Sequence, residues 1–268
     1  MLFLLRKIRR KLMEKNKFTT YLLYAIGEIF LVVIGILIAV SINNWNNDRK
    51  EQKEITDQLT ALLEDLKEDK KNLASSRNYH SFSYYSGQLI LKLLGEKPVE
   101  QPRDNVEYDE IVSEIFPLWG KPIPDHYDTA FVHFALTWID RWVPFIPNKE
   151  VIEEMNKGGR LLKLKNAKVK ESLDTYYEEV EWRFVSDRKA YGDDPDYFSL
   201  SLVEEGILLL NIHQIEDPLS VFYERSDRVG YLKLSVGEGF WYASSATHCL
   251  AVLDQTIDEL EVEIANRH

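Results

Sequence analysis

Few side chains in this sequence are spaced for chemistry. Asp125, His126, Asp128 and His133 place two imidazoles and two carboxylates close together, the donor types that hold zinc. The two histidines are seven residues apart, so on a helix they share a face but sit about two turns, roughly 10 Å, from each other. That is too far for one metal ion without a sharp bend, and they read as core or surface histidines. Gly192-Asp193-Asp194-Pro195-Asp196 gathers three carboxylates in a turn. Calcium takes such oxygens, but the EF-hand spacing and its bidentate glutamate are missing, so a solvated turn is the simpler reading and calcium stays open. Cys249 adjoins His248, yet neighbours on a helix point about 100° apart and would not form a thiolate–imidazole pair. Cys249 therefore reads as a small core residue. Tyr127, Phe131, Phe134, Trp138 and Trp142 form an aromatic stripe at helical spacing, which serves either as core or as the lining of a small-ligand pocket. No Walker loop, HExxH or Gly-x-Ser-x-Gly is present, and Gly237-Glu238-Gly239 lacks the third glycine of a dinucleotide fingerprint. No catalytic residue, cofactor or metal ligand is assigned.

The feature that positions everything else is the apolar run from Tyr21 to Val40, interrupted by one carboxylate, Glu28. About 20 helical residues span roughly 30 Å, the hydrocarbon thickness of a bilayer. A secretory signal would need a shorter apolar region, although Ala39 and Ser41 offer peptidase-like spacing. Within the run, Gly27, Leu31, Gly35 and Ala39 lie on one stripe, and small residues there let a second helix approach. An unpaired carboxylate at the depth of Glu28 costs a few kcal/mol. The alternatives are a hydrogen bond to Tyr24 one turn back, to Glu28 of a neighbouring protomer, or to a cation on another membrane protein, or a proton- or ion-coupled role.

Charge orients the span. The first twenty residues carry seven cations against Glu14, whereas Arg49, Lys50 and Lys53 beyond it are interleaved with Asp48, Glu51 and Glu54. By the positive-inside rule the N-terminus is cytoplasmic. The chain total is −11, so residues 21–268 carry −17, a balance that argues against nucleic acid or anionic lipid as partner of the large domain. Leu2, Leu5, Ile8 and Leu12, opposite Arg6, Arg9 and Arg10, suit a helix lying on the lipid surface. With one cysteine, the exported domain relies on its core rather than on a disulfide.

Tyr24-Ala25-Ile26-Gly27-Glu28-Ile29, then Leu31 to Ala39, then Ile42-Asn43-Asn44-Trp45-Asn46, resemble the N-terminal signature of a family of uncharacterised single-pass membrane proteins common in Bacteroidota. A fainter echo is Gly159-Arg160-Leu161-Leu162-Lys163-Leu164-Lys165-Asn166 leading to Tyr176-Tyr177. The resemblance implies a Gram-negative inner membrane and a periplasmic domain, and it supplies no catalytic residues.

Beyond Trp45, an interface residue, Ile55, Leu59, Leu62 and Leu66 make a short heptad seam, continued by Asp69, Leu73, Ser76 and His80. Four apolar layers make a marginal coiled coil, so the seam either pairs with copies of itself or joins a bundle. Seven of nine prolines fall between Pro98 and Pro147, breaking the chain into short helices and loops around Val106–Trp119 and His126–Trp142. Ala167–Arg188 reads as a long helix, Phe198–His213 as a buried helix or a strand, and Phe240–Asn266 as an amphipathic helix. The expected fold is mainly α. A basic cytoplasmic or interfacial segment (1–20) leads to a transmembrane helix (21–42), a helical stalk (43–97) and a mostly helical periplasmic domain (98–268). The expected partners are the lipid bilayer and either a homo-oligomer or another inner-membrane protein, with no nucleic acid. Three function classes stay open: an accessory or structural subunit of an envelope complex, a ligand-sensing module acting through a membrane partner, and a hydrolase-type enzyme.

Overall fold

A single helix, α1 (Phe18–Leu93, 76 residues), carries the apolar run and the heptad seam without a break. The computed structural model describes residues 18–100, 119–139, 141, 143, 145–164, 166–186 and 197–267. Every regular element among them is helical. After α1 come α2 (Thr129–Trp138), α3 (Glu150–Lys157), α4 (Ala167–Val180), α5 (Tyr197–Val203) and α6 (Ser226–Ala265). Short 3-10 turns lie at Leu161–Lys163, Leu209–Gln214 and Pro218–Phe222, and a π-helical turn at Glu181–Ser186 follows α4. The mainly α class expected from periodicity is the observed one. The amphipathic stretch before residue 18, residues 106–118 of the stretch expected over Val106–Trp119, Trp142 and the acidic turn 192–196 lie outside the described residues.

The chain divides into two compact units, residues 1–57 and 58–268. In the first, the side chains from Leu22 to Ile42 are exposed apart from half-buried Tyr24, Ala25 and Ile34. This is the one described helix long and apolar enough to cross a membrane, and none of its apolar window is buried.

In the second unit, α1 and α6 run antiparallel. Lys70 pairs with Asp254 at 2.6 Å and, further toward the start of α1, Lys67 pairs with Glu261 at 3.0 Å. Helix α4 is antiparallel to α6 in turn: Thr256 Oγ1 donates to Ser172 O at 3.3 Å and His248 meets Glu179 at 3.4 Å. One core layer between these helices is apolar, with Leu59, Leu62, Leu66 and Leu73 from α1, Val169, Leu173 and Val180 from α4, and Leu253, Ile257 and Leu260 from α6. A second joins Phe82, Ile90, Phe131, Leu136, Phe198, Phe222 and Val236. Each fully buried side chain of this size contributes about 1.5–3 kcal/mol. The seam from Leu59 to His80 is thus buried within its own chain, as one helix of a bundle.

Where α1 crosses α6, Gly239 makes the approach possible. A Cβ there would meet Tyr84 N at 2.9 Å and His80 O at 3.0 Å, both backbone atoms that cannot swing aside. This accounts for Gly239 in the interior of α6, which starts at Ser226, fourteen residues before the expected Phe240. The stretch 198–213 is neither one buried helix nor a strand. Helix α5 ends after Val203 because Gly206 takes φ 77°, and the Ile207 amide closes the turn on Leu202 O at 3.0 Å, a Schellman stop. Helix α2 is shorter than the expected 126–142. Asp128 caps its start by accepting from Phe131 N at 3.0 Å, and its last carbonyls are claimed by α1. Helix α4 starts as expected, with Asn166 Oδ1 accepting from Lys168 N at 3.1 Å, but turns π-helical from Glu181.

Candidate functional site

Two places draw together the chain's chemically capable side chains: the polar continuation of the α1 seam and the apolar run. Along α1, Asp69, Ser76, Tyr79, His80 and Ser83 meet the irregular segment that follows α2. Tyr79 donates to Trp138 O at 2.7 Å, Ser83 to Ile139 O at 3.0 Å, and His80 Nε2–H to Val143 O at 3.2 Å, with Ser76 Oγ at 3.5 Å from the same oxygen. A proline-rich segment cannot satisfy its carbonyls in a helix or sheet, and leaving them unpaired in a core costs about 1–3 kcal/mol each. The polar residues that weaken the seam as a coiled coil are the ones that satisfy this backbone.

At the near end of that ladder, Asp69 is fully buried and accepts three bonds. Asn148 donates its backbone N–H at 3.0 Å and its Nδ2–H at 2.9 Å, and Tyr176 its hydroxyl at 2.8 Å. Tyr177 donates to Asn148 O at 2.9 Å. Burial pushes the Asp69 carboxyl above its usual range, against the pull of these donors, and pushes both tyrosine hydroxyls up as well. His80 lies between the rings of Tyr79 and Tyr242, centroids 5.4 and 5.1 Å away. Burial holds its imidazole down at about 4, so it is neutral, with the proton on Nε2 facing Val143.

The aromatic stripe is divided between core and surface. Phe131 is fully buried, and Phe134 and Trp138 pack on the same core beside Trp119 and Phe82. Tyr127 is exposed and shares Asp217 with Tyr223, at 3.0 and 2.9 Å. His126 sits 2.7 Å from Asp125, while His133 bonds Ile215 O at 2.8 Å, so the two histidines serve different partners. Among the described residues no group of three or more His, Cys, Asp or Glu side chains comes together as a metal-ligand set. Cys249 is fully buried on α6. A groove of about 290 Å³ between α4 and α6 is lined by Ser172, Gln255, Thr256 and Glu259. Its Glu259 already accepts from Ser172 and Gln255.

In the apolar run, Gly27, Glu28, Gly35 and Ala39 are all exposed, and a Cβ at Gly27 or Gly35 would meet nothing within 4 Å. Residues 28–80 match a family of unknown function (DUF6090). No curated protein and no solved structure matches the chain. The matched segment runs from Glu28 to His80, so it holds most of the exposed apolar run and the ladder residues Asp69, Ser76, Tyr79 and His80, while their partners from Trp138 onward lie outside it.

Sequence reasoning missed Arg228. Its side chain is fully buried; it donates to Ser201 O at 2.7 Å and Val221 O at 2.8 Å and pairs with Glu205 at 2.9 Å. A cation on the last carbonyls of α5 suits that helix's negative end. It follows Arg225-Ser226-Asp227, a charged stretch that gave no signal of burial.

Proposed function

We propose that the chain is a single-pass inner-membrane protein of the Bacteroidota type, with a cytoplasmic N-terminus and a periplasmic helical domain, acting by binding and assembly as an accessory or structural component of an envelope complex. The observation that carries this reading is the apolar window of α1, none of it buried, with open space over Gly27 and Gly35. A surface of that size is at home in lipid, and its small-residue face suits a second helix. The seven cations ahead of the span support the orientation. The domain's strongest polar groups support binding over catalysis, because Asp69, His80 and Arg228 are spent on its own backbone.

Two measurements test this. Alkaline phosphatase fused after His268 should be active in cells; an inactive fusion beside a fluorescent cytoplasmic reporter at the same position would reverse the topology. Crosslinking between cysteine probes placed along residues 43–55 should fall several-fold in Gly35→Ile, because the added bulk excludes the second helix. Unchanged crosslinking would remove the association part of the reading.

A further inference from the structure

The second unit is acidic as a whole, but its charge is unevenly placed. Between Lys157 and Lys170 there is no carboxylate, and the described cations are Lys157, Arg160, Lys163, Lys168 and Lys170. At the centre of this run the 3-10 turn Leu161–Lys163 buries Leu161 and turns Leu162 outward, 77% exposed. The turn is held in place at both sides. Before it, α3 is closed by the Arg160 amide on Met155 O at 2.9 Å; after it, Asn166 caps α4.

The fold places this loop at one end of the bundle. Asn148, just before α3, bonds Asp69, whereas Glu154 within α3 accepts from Gln58 at 3.0 Å, so α3 runs toward the start of the unit's share of α1. Helix α4 returns from the same end, reaching the level of Asp69 only at Tyr176. The basic loop therefore caps the end of the bundle at which Gln58 begins the unit. Twelve residues separate Trp45 from Gln58 in the sequence.

We propose that the loop 157–170 is a membrane-surface contact that takes the anionic headgroups of phospholipids, with Leu162 entering the interface between the cations. This inference rests on the reading of α1 as membrane-spanning. The partner follows from charge complementarity: five cations without an intervening carboxylate in the sequence, in a unit of net negative charge, flank one exposed leucine, the combination by which basic interfacial segments hold lipid. The ion pair Lys157–Glu153 at 3.0 Å is solvent-exposed and exchanges readily for headgroups, while Arg160, half-buried, lies 3.8 Å from Glu154. The net acidity of the domain, which by itself argues against anionic lipid, conceals this local reversal.

The test uses the full chain, reconstituted into nanodiscs of phosphatidylcholine alone or with one lipid in three replaced by phosphatidylglycerol. Buried Cys249 is replaced by Ala, and an environment-sensitive fluorophore is attached through Leu162→Cys or, separately, Val33→Cys. Lipids bearing a headgroup nitroxide report the Leu162 probe and acyl-chain nitroxides the Val33 probe. Quenching at Leu162 should rise several-fold in the anionic discs. It should fall back in Lys163→Glu/Lys168→Glu, by about five-fold in the contact equilibrium per cation lost, and in high salt. Val33 quenched in both lipids with Leu162 unquenched in both would overturn the loop contact alone. Val33 unquenched would overturn the membrane-spanning reading beneath it. A Leu162 signal that follows the number of chains per disc rather than the lipid would assign the loop to a second copy and also overturn the proposal.

Discussion

His80 makes the stability of the second unit depend on pH in a window set by its burial. Unfolded, its imidazole protonates near 6.5. Folded, it stays neutral down to about 4, because burial opposes the charge more strongly than the bond to Val143 O favours it. Between those values the unfolded chain holds the extra proton, so acidification favours unfolding. The stability His80 provides is complete above pH 6.5 and is lost as the pH falls toward 4. That interval, at about 1.4 kcal/mol per pH unit, is worth about 3.5 kcal/mol. His80→Gln keeps a side-chain N–H for Val143 O and removes the titration. Urea unfolding of both proteins in detergent, followed by tryptophan fluorescence at half-unit steps from pH 4 to 8, isolates the effect. The other histidines and all carboxylates contribute equally to both proteins and cancel in the difference. The wild-type curve should fall relative to the variant by about 1.4 kcal/mol per pH unit below 6.5 and run parallel to it above. A difference that stays flat across the window would mean that His80 is protonated or solvated in the folded state, and the reasoning would fail.

Two further outcomes follow from the packing. Asp69→Leu strands the Asn148 and Tyr176 donors and should cost about 3 kcal/mol of unfolding free energy; adding Tyr176→Phe should cost less than the sum of the two single changes, and strict additivity would show that the bond at 2.8 Å contributes nothing. Gly239→Ala should lower the melting temperature, at a cost of about 1–3 kcal/mol, because its new methyl meets the α1 backbone. Gly230→Ala on the same helix has nothing within 4 Å and should raise it, by up to about 1 kcal/mol. Equal effects from the two alanines would refute the close crossing.

What could be read along the chain was local. The membrane run is contiguous composition measured against a bilayer thickness, and the helical class is a 3.6-residue period, so neither needs a distant partner. The buried positions Leu59, Leu62 and Leu66 came from the same period. The start of α6 was placed fourteen residues too late, and the need for glycine at 239 shows only in the α1 backbone opposite it. The seam, whose hydrophobicity fades after Leu73, read equally as a weak coiled coil or as a bundle helix. The choice depended on Asn148 and Tyr176, 79 and 107 residues away from Asp69. Arg228 and the basic loop belong to the same class: their charges were visible, but their surroundings are assembled by α5 in one case and by the common end of α1, α3 and α4 in the other. Periodicity marks which face of a helix is buried; what that face is buried against is decided by contacts between segments far apart in sequence, and these exist only once the chain has folded.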